Sequence, residues 1–345
     1  MKNVAVIGAG SWGTALSLVL ADNGHHVTLV ARREEIAREI NERHTNETYL
    51  PSIEIPSSIV ATCSMEEIID VEIIVLVVPT KAIRQAVRSL NDVLKQPVTI
   101  VHASKGIEPG SHLRISEMIE EEMEPTLLKE VVVLSGPSHA EEVSLRQPTT
   151  VTVSSKSLST TKQIQDLFMN QQFRVYTNED LIGVEIGGAL KNIIALACGL
   201  TNGLGYGDNT KAAIMTRGLA EIGRLGVKLG ASPLTFAGLS GLGDLIVTCT
   251  SIHSRNWRAG QMLGKGKSPA EVEESMGMVV EGIRTTQAAH ELAQKLQIEM
   301  PITSALYSVL FEGKKPEHAA DELMGRVKKH EMENLHDVVS DQKND

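Results

Sequence analysis

The chain has 345 residues, with 33 Lys plus Arg against 43 Asp plus Glu and a formal net charge of −10 at pH 7. That length is long for a single hydrophobic core and predicts two domains. The acidic balance excludes a nucleic-acid surface of the net-basic kind, so any phosphate bound here is small and locally held.

Three cysteines, Cys63, Cys198 and Cys249, lack CxxC or Cys/His metal spacing. An odd, scattered set of this kind predicts a reducing compartment and no metal site. A strand-like run begins at Asn3 without a charged-then-apolar leader, and no stretch approaches the roughly 18 uninterrupted apolar residues of a membrane span. A cytoplasmic chain without an integral membrane segment is expected.

Val4 to Ile7 is an apolar run ending at Gly8, followed by GAGSWG and a helical pattern that stops at Gly24. In this strand, turn and helix setting Gly8 permits a tight turn, Gly10 lets the backbone approach a pyrophosphate, and Gly13 lets helix and strand pack closely. An ordinary glycine-rich turn is the plainer alternative. The second strand, His26 to Val30, leads into Ala31, Arg32 and Arg33, where an NAD-selective site usually places an acid for the ribose 2′-hydroxyl. Arginine there can meet a 2′-phosphate bidentately, which favours NADPH over NADH; otherwise the two are solvated charges opening a helix.

Strand-like runs recur at Ile59–Ala61, Ile73–Val77, Val98–Val101 and Val131–Leu134 with helical patterns between them. That alternation predicts an α/β fold with a parallel, doubly wound sheet and helices on both faces. Ligands of such sheets lie beyond the carboxyl ends of the strands, which singles out Ser104-Lys105-Gly106 and the segment from Ser135 to Ala140. Lys105 can meet a substrate oxygen or phosphate, although a strand-end lysine is often merely solvated. After Pro148 a strand, a helix over Leu158–Met169 and the run FRVYT complete a Rossmann-type domain over 1–180.

From there the periodicity is helical, predicting an all-α domain over 181–331 and a polar tail over 332–345. In Gly183–Leu200 the apolar positions Ile186, Leu190, Ile193, Ile194 and Ala197 define a buried face with Lys191 beside it. No acid lies three or four residues away, so Lys191 either snorkels to water or points into a polar cleft. Gly187 and Gly188 weaken this helix, which implies that another backbone or a cofactor approaches closely. Thr210–Gly230 carries Arg217, Glu221 and Arg224, read as a solvated face. Asp244 follows in a glycine-dense run. Ser254 reads as an N-cap with Arg255 and Asn256 in the first helical turn, either a compact phosphate site or a capped helix with a surface arginine. Val279 and Glu281 precede another helix, which Glu281 caps unless it faces the cofactor. Helices from Pro301 to Phe311 and from Pro316 to Lys329 close the chain.

The blocks GAGSWGTA, VVPT, ASKGIEPG, LSGPSHAEEV, ALKNIIALACGLTNGLGYGDNTKAAIMTRGLAEI, GLSGLGDLIVTCTSIHSRN, VVEGIRT and MPIT together resemble the bacterial NAD(P)-dependent glycerol-3-phosphate dehydrogenases, from about Asn3 to Glu331. The resemblance implies reversible reduction of dihydroxyacetone phosphate to sn-glycerol 3-phosphate, a glycerophospholipid precursor, with Lys191 as proton donor and acceptor. It further implies substrate contacts from Lys105, Gly136, Ser138, Lys191, Asp244, Ser254, Arg255 and Asn256. For NADPH or NADH it implies Ser11, Trp12, Arg32, Arg33, Lys105, Ala140, Arg255, Val279 and Glu281 beside the glycine turn, all meeting in one interdomain cleft. A homodimer is compatible with the sequence and not fixed by it.

Two other readings stay open on the residues alone. One is a two-domain dehydrogenase of β-hydroxy acids, which also pairs a Rossmann domain with a helical domain and a catalytic lysine. The other is a cofactor-sensing binding protein without turnover, which leaves Lys191 and the Ser254-Arg255-Asn256 cluster without a purpose.

Overall fold

The computed structural model describes residues 1–277 and 279–328. Met278 and the tail expected over 332–345 lie outside the described residues. The chain forms two compact units, one of Met1–Lys105 with Leu113–Glu185, the other of Gly106–His112 with the chain from Ile186 onward. The division thus falls five residues beyond the expected boundary, and a short segment after Lys105 belongs to the second unit.

The first unit runs β1 (Asn3–Ile7), α1 (Ser11–Asp22), β2 (His26–Val30), α2 (Glu34–Arg43), β3 (Ile59–Thr62), β4 (Ile73–Leu76), α3 (Ile83–Val93), β5 (Val98–His102), α4 (Ile115–Glu122), β6 (Leu128–Ser135), α5 (Ala140–Ser144), β7 (Thr149–Ser155), α6 (Leu158–Phe168) and β8 (Phe173–Asn178). Its sheet has the order β3-β2-β1-β4-β5-β6-β7-β8. Alternation along each strand sends side chains to opposite faces. In β1, Val4 and Val6 join the core under α1, α2 and α6, while Ala5 and Ile7 join the core under α3 and α4. Burial on both faces is what the near-continuous apolar runs require.

Two strands depart from the all-parallel expectation, because β7 pairs antiparallel to β6 and β8 runs parallel to β7. The connection from β6 to β7 contains only α5, five residues and about 7.5 Å long.

The chain continues with α7 (Leu181–Gly203), α8 (Asp208–Lys228), α9 (Asp244–Thr250), α10 (Arg255–Gly264), α11 (Pro269–Met276), α12 (Glu281–Leu296), α13 (Pro301–Phe311) and α14 (Pro316–Met324). Helix α7, 23 residues long, is long and apolar enough to cross a membrane, yet 94% of its apolar window is buried inside the protein. It is a core helix. The capping box of Ser268 with Glu271 and Pro269 at the first turn make α11, an element the periodicity did not reveal. The closing helix stops at Met324, short of the expected Lys329, which lies outside the described residues.

The solvated face expected on α8 is only partly so. Arg217 is exposed, but Glu221 is buried and accepts hydrogen bonds from Ile302 N at 2.6 Å, Thr303 N at 3.2 Å and Thr303 Oγ1 at 3.0 Å. The amides that open α13 have no intrahelical acceptors, and a carboxylate from another helix supplies one. Arg224 is half-buried and donates to Glu299 O at 2.9 Å.

Candidate active site

The glycine turn follows β1, where the sheet order reverses between β2 and β4. Gly8 has φ +114°, and a Cβ there would come within 2.3 Å of Val77 O. At Gly13 a Cβ would lie 1.8 Å from Gly8 O. Gly10 differs. It is the N-cap of α1, no side chain caps the helix, and nothing lies within 4 Å of where its Cβ would be. Open space before helix amides, with no acid in the first turn, fits an anionic pyrophosphate.

Asn46 braces this turn from inside the core, donating to Ala9 O at 3.1 Å and Thr14 Oγ1 at 2.9 Å. Ser11 Oγ donates to Tyr49 O at 2.6 Å. Arg33, the N-cap of α2, reaches the Tyr49 hydroxyl at 3.3 Å and sits 5.5 Å from the centre of its ring. Trp12 packs half-buried against the core, and Arg32 is exposed.

Beyond β5 and β6 a second group forms around one carbonyl. The Lys105 ammonium donates to Gly136 O at 3.3 Å, and Ser138 Oγ donates to the same oxygen at 3.0 Å. Gly136 has φ +141°, with a would-be Cβ 2.9 Å from Val151 Cα, so the turn depends on glycine. Ala140 opens α5 and is buried.

In the second unit Lys191 is 6% exposed, so it does not snorkel. Its ammonium donates to the Asp244 carboxylate and, at 2.8 Å, to Thr248 Oγ1. The Thr248 hydroxyl spends its own proton on Asp244 O at 2.6 Å and therefore only accepts from the lysine. Asp244 and Thr248 stand four residues apart on α9 and share a face. A buried ion pair is tolerated when further hydrogen bonds complete it, which Thr248 does. The glycine-rich turn that leads into α9 comes this close because of Gly187, where a Cβ would meet Ser240 O at 2.6 Å. The weakening glycine thus admits another backbone. Cys198 and Cys249 are buried free thiols nearby; burial first, then the neighbouring Cys198, pushes the Cys249 thiol well above its ordinary range and leaves it unreactive.

Ser254 caps α10, accepting from Trp257 N at 3.2 Å, and Arg255 is exposed at the first position. Asn256 Nδ2 donates to Asn192 Oδ1 at 2.9 Å, and Asn256 Oδ1 accepts from Gly282 N at 2.9 Å. The start of α10 is thereby tied both to the residue after Lys191 and to the start of α12, where Glu281 is the first residue and Val279 lies half-buried just before it. Lys191, Asp244 and Asn256 form one linked set, with Ser254 and Arg255 flanking it. Four residues of these two sites escaped sequence reasoning. Thr248 was legible through its spacing of four from Asp244; Asn46, Tyr49 and Asn192 carry no local signal.

The sheet order and glycine turn define a Rossmann-type dinucleotide-binding protein with an all-helical second unit. Family models described as NAD-dependent glycerol-3-phosphate dehydrogenase N-terminus and C-terminus match residues 3–161 and 180–321. The chain belongs to the NAD-dependent glycerol-3-phosphate dehydrogenase family and is an oxidoreductase. It is 99% identical over 345 residues to a glycerol-3-phosphate dehydrogenase [NAD(P)+] of Halalkalibacterium halodurans, covering 100% of both chains. A namesake from Shouchella clausii is 70% identical, over 97% of this chain and 99% of its own. The crystal structure of glycerol-3-phosphate dehydrogenase from Coxiella burnetii superposes with a TM-score of 0.89 at 39% identity, covering 94% of this chain and 99% of that one.

Proposed function

We propose that the chain interconverts dihydroxyacetone phosphate and sn-glycerol 3-phosphate, uses NADPH ahead of NADH, and employs Lys191 as proton donor and acceptor. The observation that carries this is a buried lysine held by one carboxylate and one hydroxyl, Asp244 and Thr248, instead of reaching water. When bound, the reduced nicotinamide supplies a hydride to the ketone carbon.

Negative charge then develops on the ketone oxygen, and the Lys191 ammonium neutralises it by giving up a proton. Positioned proton transfer of this kind contributes about 10² to 10⁴ in rate. Asp244 and Thr248 hold the ammonium in one place, so little reorganisation accompanies the transfer. Arg255 and the amides it stands beside at the start of α10 bind the substrate phosphate, with Asn256 fixing that helix start. Lys105, Gly136 and Ser138 contact the substrate from the sheet unit. Gly8, Gly10 and Gly13 admit the pyrophosphate, and Arg33 on its Tyr49 shelf, with Arg32, meets a 2′-phosphate. Ser11, Trp12, Ala140, Val279 and Glu281 complete the cofactor contacts.

The product is the backbone of glycerophospholipids, and a cytoplasmic enzyme supplying that synthesis is the biological role proposed. Steady-state oxidation of NADPH and NADH with dihydroxyacetone phosphate, against a panel of unphosphorylated keto acids, tests the reading. Turnover with the phosphorylated ketone supports it; turnover with the keto acids alone overturns it.

A further inference from the structure

The chain passes between its compact units at three points, after Lys105, after His112 and after Glu185. Within the first unit, side chains flanking these three points converge on one carboxylate. Glu185 accepts from Ser116 N at 2.8 Å, from Ser116 Oγ at 2.6 Å and from Arg114 Nη1. His102 Nε2 lies 3.1 Å from its Oε1, and the Glu185 side chain is 5% exposed. The other ring nitrogen of His102 lies 3.4 Å from Ser104 O, the carbonyl just before Lys105. Arg114 and Ser116 open α4, where Arg114 also pairs with Glu117 at 2.7 Å.

A buried carboxylate of this kind is tolerated only when donors surround it, and apolar residues would join three segments with less desolvation. What the carboxylate adds is direction, because each partner must occupy a defined place to reach it. Glu185 stands six residues before Lys191 on α7, about 9 Å along the helix.

We propose that Glu185 is a positioning residue for the reaction. By clasping the end of β5 and the start of α4 it sets where α7 begins, and so where that helix carries Lys191. Through His102 and Ser104 it also steadies the backbone that bears Lys105. The inference rests on the role assigned to Lys191 above. A displacement of about 1 Å at a reacting group can cost on the order of a hundredfold in rate.

The test is Glu185→Gln in the full chain, which keeps the volume and one acceptor but loses the charge. The expected result is kcat lowered by about tenfold or more. The KM for dihydroxyacetone phosphate and the NADPH dissociation constant stay within about twofold, and the primary isotope effect with 4-deuterated NADPH rises, because hydride transfer has become the slow step. Glu185→Asp, which retains the charge, restores part of the rate. An unchanged kcat, or a fall in kcat without a larger isotope effect, overturns the proposal. Should Glu185→Gln fail to fold, Ser116→Ala removes the hydroxyl donor while the backbone amide of residue 116 remains, and is read by the same criteria. The functional reading fails separately: if the wild type does not oxidise NADPH with dihydroxyacetone phosphate, or Lys191→Ala keeps its turnover, both fall.

Discussion

Lys191 on α7 donates to the carboxylate of Asp244 on α9, 53 residues further along the chain, and both side chains are buried. Thr248 closes the arrangement, so the lysine side chain is held away from bulk water.

Lys191→Ala is expected to lower turnover at least about a hundredfold while NADPH affinity, read by fluorescence titration, stays nearly unchanged. It also strands Asp244 without its partner, which costs about 3–5 kcal/mol in denaturant unfolding. The double variant Lys191→Met with Asp244→Leu should regain much of that stability and none of the activity. Recovery of stability together with activity would show that the pair is a structural bridge only.

Arg255 is exposed at the first position of α10, and the proposed function gives it the substrate phosphate. Arg255→Ala is expected to raise the KM for dihydroxyacetone phosphate about tenfold or more, the cost of one charge-assisted hydrogen bond, with little change in stability. An unaltered KM would mean that the phosphate is held elsewhere.

Two glycines of one turn should respond differently to the same change. Gly13→Ala drives a methyl group into Gly8 O and should destabilise the fold, whereas Gly10→Ala places it in open space. Gly10→Ala is therefore expected to melt within a few degrees of the wild type and to bind NADPH at least about tenfold more weakly, because the methyl group occupies the pyrophosphate's approach. Normal NADPH binding by Gly10→Ala would remove the turn from the cofactor site.

Burial by itself would raise the Glu185 pKa, but the neighbouring His102, then the charge of Arg114 and the hydrogen bond of Ser116, hold it at about 2, below its ordinary 4.5. A carboxylate depressed in the folded state contributes stability above its unfolded pKa and loses it as the pH falls through the folded one. The contribution, about 3 kcal/mol, should be present above pH 4.5 and disappear towards pH 2. Unfolding free energies of the wild type and Glu185→Gln should accordingly differ at pH 6 and converge near pH 2. A difference that does not depend on pH would show that Glu185 acts through shape alone.

Arg33 leans on the Tyr49 ring and hydroxyl, which holds the guanidinium at the end of β2. Arg33→Ala is expected to weaken NADPH more than NADH by about tenfold, the cost of one charge-assisted contact to a 2′-phosphate. An equal effect on both cofactors would place the 2′-phosphate away from Arg33.

Local pattern carried much of the chain. The glycine turn, the Ser254 cap and the strands β1 to β8 were legible because each depends on residues within one or two turns of one another. The same locality accounts for the Gly187 prediction, since a glycine inside a strong helix already implies that something comes close. The direction of β7 was not legible, because an apolar run carries no mark of which way its partner strand runs. Nor was the burial of Glu221, whose partners are the amides of a helix begun 80 residues later. Lys191 is the sharpest case. Its neighbours in sequence show a cation beside an apolar face and leave two readings open. The choice between them belongs to Asp244 and Thr248, brought to it by the packing of the turn before α9 against Gly187, because a buried charge is decided by what surrounds it in space.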